Sequence, residues 1–385
     1  MNRRKVMVIF GTRPEAIKMA PIIAQLRQYK GEIDTCVVVT GQHREMLDQV
    51  LETFHIQPDC DLDIMLPGQS LTDVTVRSLA SLERVMASEK PDLVLVQGDT
   101  TTAFAGGLAA FYQRIPVGHI EAGLRTGDKY NPYPEEINRR LIDALADLCL
   151  APTATSQKAL LAEGVPPSRI LVTGNTVIDA LLEVAAREHE FTVPTLRSLH
   201  FGPPLRTILV TAHRRESHGA PMHAICNALA DLLMSRDDLQ IVFPVHLNPR
   251  VRETAWSILG GVERAVLLEP LDYLDIVHLI KRADLIITDS GGIQEEAPAL
   301  GKPVLVIRET TERPEGVAAG TARLVGTDRQ NIVAAAKRLL DDPVEYARMA
   351  HAANPYGDGR AAERTGMAIR HFLGLSADRP APFES

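Results

Sequence analysis

Val96-Gln97-Gly98-Asp99-Thr100 closes one apolar run, Gly118-His119-Ile120-Glu121-Ala122-Gly123-Leu124-Arg125-Thr126 closes the next, and Pro134-Glu135-Glu136-Ile137-Asn138-Arg139-Arg140 opens an amphipathic stretch. An apolar run of four to eight residues followed by a turn and a helical pattern reads as a buried parallel strand feeding a helix. Acids directly after such strands lie at the carboxyl edge of the sheet, where open α/β folds bind their ligands. Asp99 and Glu121 hold such places, and Glu135 and Glu136 begin the helix that follows. Several carboxylates converging at one edge suit proton transfer, metal binding or recognition of sugar hydroxyls, and the rest of the chain must choose among them.

The same alternation extends outward from this stretch. Residues 5–10, 35–39, 93–96, 116–120 and 148–151 read as buried parallel strands. Between them lie helical patterns, one with Ala16, Met19, Ala20 and Ile23 on a single face. The pattern restarts at 207–211, 240–244, 265–268, 285–289 and 303–307. A chain of 385 residues exceeds the usual single core, so two domains are expected. Residues 185–204 carry charges, Pro194 and Gly202-Pro203-Pro204, which reads as a surface crossing between domains. The fold class is therefore α/β, with two doubly wound parallel sheets facing each other and the cleft between them as the expected active site. The proline-rich tail 376–385 reads as loose.

Composition narrows the function. Hydrophobic content of 45% and charged content of 23% fit a soluble enzyme. A formal net charge of -8 without any Lys/Arg run argues against nucleic acid as a partner. No apolar run approaches the roughly 18 residues that span a bilayer. The basic start gives way to a short strand broken at Gly11-Thr12-Arg13-Pro14, unlike a signal peptide. Cys36, Cys60, Cys149 and Cys226 lack metal-type spacing and read as reduced, mostly buried thiols in a cytoplasmic protein.

Three strand-to-helix turns could hold an anion. Gly11-Thr12-Arg13-Pro14-Glu15 combines a glycine turn, Pro14 in the first helical turn and an arginine near a helix N-terminus. It reads either as a phosphate site or as a plain turn with a surface arginine. Thr288-Asp289-Ser290-Gly291-Gly292-Ile293-Gln294-Glu295-Glu296 lets backbone N–H groups approach a diphosphate, and places Glu296 where a carboxylate can take two ribose hydroxyls. Alternatively, Glu296 only complements the helix dipole. Thr211-Ala212-His213-Arg214-Arg215-Glu216-Ser217 supplies a cationic rim at a strand end, or a solvated basic loop. Glu135, Glu136, Arg139 and Arg140 can form two i,i+4 pairs of about 0.2–0.5 kcal/mol each. His119 sits in an apolar strand, as a satisfied core histidine would, and Asp99 could simply cap the helix from Thr101. The sequence lacks a GxGxxG fingerprint, a GxSxG elbow and an HExxH or CxxC pattern, which gives no support to a nicotinamide or flavin cofactor, a hydrolase triad or a metal.

Taken in order, the segments 11–21, 40–48, 97–100, 119–126, 134–139, 213–216 and 289–296 resemble the bacterial non-hydrolysing UDP-N-acetylglucosamine 2-epimerases, over roughly residues 5–373. The resemblance implies two Rossmann-like domains in a GT-B-like arrangement. They would comprise residues 1–173 and 174–363, with a last helix at about 364–380 crossing back to the first domain. It implies no cofactor and no metal. It implies reversible C2 epimerisation of UDP-GlcNAc to UDP-ManNAc, by elimination of UDP to 2-acetamidoglucal and re-addition. Such chemistry needs acid/base groups on both faces of the sugar and a cationic cradle for the departing diphosphate.

Carried over residue by residue, the family's catalytic groups fall on Asp99, Glu121, Glu135, Arg139 and His213. Its UDP contacts fall on Arg13, Lys18, Ser290, Gly291, Gly292, Glu296 and Arg313. An activating second UDP-GlcNAc would meet Gln42, Gln69, Arg214 and His246. The implied partners are UDP-GlcNAc and UDP-ManNAc and a second copy of the chain as a homodimer, with no nucleic acid and no membrane. The implied setting is cytoplasmic, supplying cell-envelope polysaccharide precursors. Rival readings are a hydrolysing epimerase releasing ManNAc and UDP, an epimerase of a related UDP-sugar, a retaining glycosyltransferase and a non-enzymatic nucleotide-sugar sensor.

Overall fold

Aliphatic runs without polar alternation form the strands, as expected of strands covered on both faces. A computed structural model describes residues 3–41, 44–66 and 68–384. Its first sheet contains Arg4–Phe10 (β1), Ile33–Val39 (β2), Cys60–Asp61 (β3), Leu93–Gln97 (β4), Val117–Ile120 (β5), Leu148–Ala151 (β6) and Ile170–Val172 (β7). The second contains Arg206–Thr211 (β8), Leu239–Pro244 (β9), Ala265–Leu268 (β10), Leu285–Thr288 (β11), Val304–Val306 (β12) and Ala322–Leu324 (β13). All pairings are parallel, in the orders β3-β2-β1-β4-β5-β6-β7 and β10-β9-β8-β11-β12-β13. Both are Rossmann-like sheets. In each, the chain winds outward through three strands and then returns beside the first. That reversal leaves a crevice at the carboxyl ends of β1 and β4 in one sheet, and of β8 and β11 in the other.

The chain divides into two compact units, Met1–Ala180 with Gly357–Ser385, and Leu181–Tyr356. The division falls inside the helix Thr176–Ala186, not at 173/174. The second sheet shows how its strands are covered. Ile208 and Val210 of β8 join one buried cluster and Leu209 the other, so successive side chains enter separate cores on opposite faces.

Three strands escape a sequence reading. β3, β7 and β13 are two or three residues long, too short to show a period. The stretch 185–204 is no surface crossing. Its Phe191 and Leu196 are buried in a core of the second unit, and it contains the helix Pro194–Ser198. Asp275 anchors it, accepting from the Thr192 N–H at 3.1 Å and its hydroxyl at 2.5 Å.

The tail is not loose either. The Phe383 N–H donates to the Val172 carbonyl at 2.8 Å, and Arg379 donates to the Ile170 carbonyl at 2.9 Å, so the tail follows the edge strand β7. Covering an edge satisfies backbone groups that would otherwise recruit another chain. The last helix is Ala361–Phe372, ending before the left-handed Gly374 (φ 69°) instead of near 380. It packs against the helix Arg13–Gln28, with Arg370 paired to Glu32 at 2.7 Å. Asp179, which burial pushes up to about 6, accepts from the N–H groups of Ala361 and Ala362 at its N-terminus.

Candidate functional site

In the first unit the turn after β1 is tightly built. A Cβ on Gly11 would stand 2.1 Å from Thr40 Oγ1 and 2.8 Å from Thr102 Oγ1, so only glycine fits between neighbouring strand ends. Glu15 is fully buried and folds back on this turn. Its Oε2 accepts from the N–H groups of Gly11 (3.1 Å) and Thr12 (2.8 Å) and from Thr12 Oγ1 (2.7 Å). Its Oε1 accepts from Thr100 Oγ1 at 2.6 Å, joining the turns after β1 and β4. Burial raises the Glu15 carboxyl above its ordinary range, against the pull of these donors. Arg13 opens the helix Arg13–Gln28 at this turn, where partial positive charge favours an anion.

Lys18 lies one turn further on. Its ammonium donates to both oxygens of Glu121, at 2.6 and 2.7 Å. Glu121 follows β5 with a left-handed backbone (φ 69°), an uncommon conformation for a residue with a side chain. It also accepts from Gln97 Nε2 at 2.5 Å and Asn175 Nδ2 at 2.9 Å. Every one of these donors is an N–H, which suits an acceptor-only carboxylate. The carboxylate lies over the turn after β4: its Oε2 is 3.6 Å from where a Cβ on Gly98 would stand. Gly123 completes the turn at φ 89°, and a Cβ there would meet the Ser156 carbonyl oxygen at 2.4 Å.

Asp99 is next to Gly98 and does not cap the following helix. Thr100 does, accepting from the Ala103 N–H at 3.0 Å. Asp99 instead takes Arg139 of the helix Glu135–Leu145 as its ion-pair partner, and its carbonyl accepts from Asn138 Nδ2 at 2.9 Å. Of the two expected i,i+4 pairs, Glu136–Arg140 forms, at 3.1 Å. The Glu135–Arg139 pair does not, because Arg139 turns to Asp99 and approaches Glu136 at 3.4 Å. Glu136 is fully buried and accepts from the N–H groups of Thr126 and Gly127, tying the preceding loop to the helix. Glu135 is half-buried at the N-terminus of that helix, with no polar partner among the described residues. Arg139 Nε is buried and unpaired.

His119 is a satisfied core histidine, as its apolar strand suggests. Its Nδ1 lies 2.6 Å from Asp143 Oδ1 and its Nε2 lies 2.7 Å from the Gly98 carbonyl. Burial alone would raise the Asp143 carboxyl, but His119 and Arg125 outweigh it and hold it below the usual range.

The second unit carries the other set. Asp289, fully buried at the end of β11, accepts from the N–H groups of His213 (2.9 Å) and Arg214 (2.8 Å) and from Ser217 Oγ (3.0 Å). It thereby holds the loop after β8 against the turn after β11. His213 Nδ1 is 3.3 Å from Asp289 Oδ1, and its ring stacks on His246 at 5.8 Å between centroids. Burial lowers the His213 imidazole below its ordinary range; Asp289 opposes this, while Arg214, His246 and Arg308 add to it. Ser290 precedes the helix Gly291–Ala299, and a Cβ on Gly292 would stand 3.6 Å from Glu296 Oε2 and 3.9 Å from Ser290 Oγ. Gly291, Gly292 and Glu296 therefore share one helix N-terminus. Arg313 is fixed to that helix by its ion pair with Glu295.

Among the residues expected to bind a second nucleotide sugar, Arg214 pairs with Glu312 at 2.5 Å, and Glu312 also takes Arg308. These cations hold the Glu312 carboxyl below the usual range although burial works the other way. The Gln69 side chain serves its own loop, accepting from the Leu66 N–H and donating to the Ile64 carbonyl, both at 2.9 Å. Gln42 lies outside the described residues. Glu15, Asn175, Asp289 and Glu312 were not among the expected site residues. Position was the available signal for Asp289, which comes directly after an apolar strand, whereas Asn175 follows β7, a strand too short to be read.

The chain resembles known proteins along nearly its whole length. Residues 25–370 match the family model described as UDP-N-acetylglucosamine 2-epimerase. A UDP-N-acetylglucosamine 2-epimerase of Escherichia coli O157:H7 is 57% identical over 373 residues, covering 95% of this chain and 98% of the relative. A Neisseria meningitidis UDP-GlcNAc 2-epimerase solved bound to UDP-GlcNAc superposes with a TM-score of 0.86 at 48% identity, covering 97% of this chain and all of that one. S. aureus MnaA, solved with UDP, gives a TM-score of 0.88 at 51% identity, covering 99% of this chain and 100% of that one. The chain belongs to the UDP-N-acetylglucosamine 2-epimerase family.

Proposed function

We propose that the chain interconverts UDP-GlcNAc and UDP-ManNAc without releasing the free sugar. A carboxylate removes the C2 proton while the C1–O bond to the diphosphate breaks. The C–H electron pair becomes the C1=C2 bond of 2-acetamidoglucal, and the C1–O pair leaves with UDP. In the return step a UDP oxygen attacks C1 and the C2 carbon takes a proton on its opposite face. Asp99, Glu121 and Glu135 supply the acid/base groups, and Arg139 orients Asp99. On the nucleotide side, the N–H groups at Ser290-Gly291-Gly292, with Arg13, Arg313 and His213, receive the developing diphosphate charge, and Glu296 takes the ribose. Lys18 acts through Glu121 in this scheme.

One observation carries the reading. Two carboxylates meet at neighbouring strand ends, Glu121 over Gly98 and Asp99 directly after it, each with its own cation, Lys18 or Arg139. A transferase or a sensor has no need of two such groups beside a sugar. The stacking of His246 on His213 favours a further feature: a second UDP-GlcNAc meeting Gln42, Gln69, Arg214 and His246 would act on the catalytic histidine directly. We assign the active form to a cytoplasmic homodimer.

The test is proton NMR of UDP-GlcNAc with the protein in heavy water. UDP-ManNAc deuterated at C2 is expected. Free ManNAc with UDP would assign the hydrolysing reaction instead, and an unchanged spectrum would refute epimerisation.

A further inference from the structure

We propose that Asp143 and His119 are positioning residues, a buried pair that fixes both turns carrying the proton-transfer carboxylates; the role rests on the function proposed above. The carbonyl of Gly98 can only accept, so His119 Nε2, 2.7 Å away, carries the hydrogen and donates to it. Gly98 immediately precedes Asp99. The other ring nitrogen meets Asp143 Oδ1 at 2.6 Å. The second oxygen of the same carboxylate accepts from the Gly123 N–H at 3.2 Å and from Arg125 at 2.8 Å. Gly123 closes the left-handed turn that begins at Glu121. One carboxylate thus reaches the turn of Asp99 through an imidazole and the turn of Glu121 directly. Both side chains are at most 2% exposed, so water cannot replace either bond. Neither side chain is itself among the proposed acid/base groups.

Displacing a reacting group by about 1 Å can cost on the order of a hundredfold in rate. Asp143→Asn should therefore lower kcat by about 10- to 100-fold while leaving UDP affinity within about threefold of the parent. The histidine separates positioning from simple core filling. His119→Gln can place an amide N–H where Nε2 stands, and His119→Asn can place one only near Nδ1. Turnover in the glutamine variant should exceed that in the asparagine variant by about tenfold at matched thermal stability.

Parallel losses in the two variants, tracking their melting temperatures, would overturn the role. The parent offers a test that no folding defect can obscure. Nitrogen–proton correlation spectra of histidine-labelled protein should show a slowly exchanging Nε2–H for His119, and its absence overturns the proposal. If the parent fails to exchange the C2 hydrogen, the proposed function falls and this role with it. If the parent exchanges C2 and Asp143→Asn keeps its kcat, only the positioning role falls.

Discussion

Asp289→Ala is the perturbation whose size the structure sets most directly. The carboxylate is fully buried and receives three donors: the N–H groups of His213 and Arg214 and the hydroxyl of Ser217. Alanine leaves each without a partner. An orphaned buried donor costs about 1–3 kcal/mol, and the half-exposed rim around His213 lets water recover part of this, so the expected loss is about 3–5 kcal/mol. In a unit of this size, each kcal/mol lowers the melting temperature by about 2–4 °C, which predicts a fall of roughly 6–20 °C in the transition of the second unit. The loop from His213 to Ser217 should detach at the same time, and with it the cationic rim. In the parent, UDP at about a hundred times its Kd should stabilise the unit by about 2.7 kcal/mol. In the variant this ligand-dependent shift should be largely lost. Calorimetric scans with and without UDP read both quantities. A variant that melts within about 2 °C of the parent and keeps its UDP shift would refute the idea that Asp289 organises the nucleotide half.

Three further outcomes are expected. Lys18→Met removes the ammonium from Glu121 and should cut turnover by at least about tenfold with UDP affinity unchanged; weakened UDP binding with turnover preserved would assign Lys18 to the nucleotide instead. Gly123→Ala adds about 1–2 kcal/mol of left-handed strain and drives a Cβ into the Ser156 carbonyl, so C2 exchange should nearly vanish while the second unit still binds UDP; parent-like exchange would show that the turn at Glu121 needs no glycine. His213 is held below its ordinary range, so the unfolded chain binds the extra proton first and stability falls as pH drops below about 6.5. A bound diphosphate should pull the imidazole back up, making UDP binding take up more protons in the parent than in His213→Asn near about pH 6; equal uptake, measured by calorimetry in buffers of different ionisation heat, would exclude that linkage.

The parallel sheets were legible because their strands are apolar on both faces and bounded by Gly, Pro and polar turns. The runs containing Val8, Leu95, Leu209 and Ile286 needed no further information. What stayed illegible depends on contacts distant in sequence. Phe191 and Leu196 lie among charges and prolines, and only the core of the second unit identifies them as buried. Phe383 sits in a proline-rich tail, and its backbone partner is Val172. Arg139 offers Glu135 the right helical spacing, yet a stronger partner, Asp99, comes from 40 residues earlier. Gln69 enters by the family resemblance alone, and only the fold shows that its amide also braces its own loop.

The residues hardest to read from sequence share one physical job. A doubly wound sheet places two turns side by side at its switch point, and those turns are connected by neither helix nor strand hydrogen bonds. Their N–H groups point into a polar crevice and need an acceptor that spans the gap. In the first unit Glu15 spans it, accepting from Gly11 and Thr12 on one side and Thr100 on the other. In the second unit Asp289 does the equivalent from the opposite turn, accepting from His213, Arg214 and Ser217. A glutamate one turn into a helix can fold back onto its own strand–helix turn, whereas an aspartate at a strand end has the shorter reach needed for the neighbouring one. The two solutions therefore differ in sequence while meeting the same demand. That demand, and not a motif, explains why a buried carboxylate, Glu15 in one unit and Asp289 in the other, ties together the two turns of each crevice.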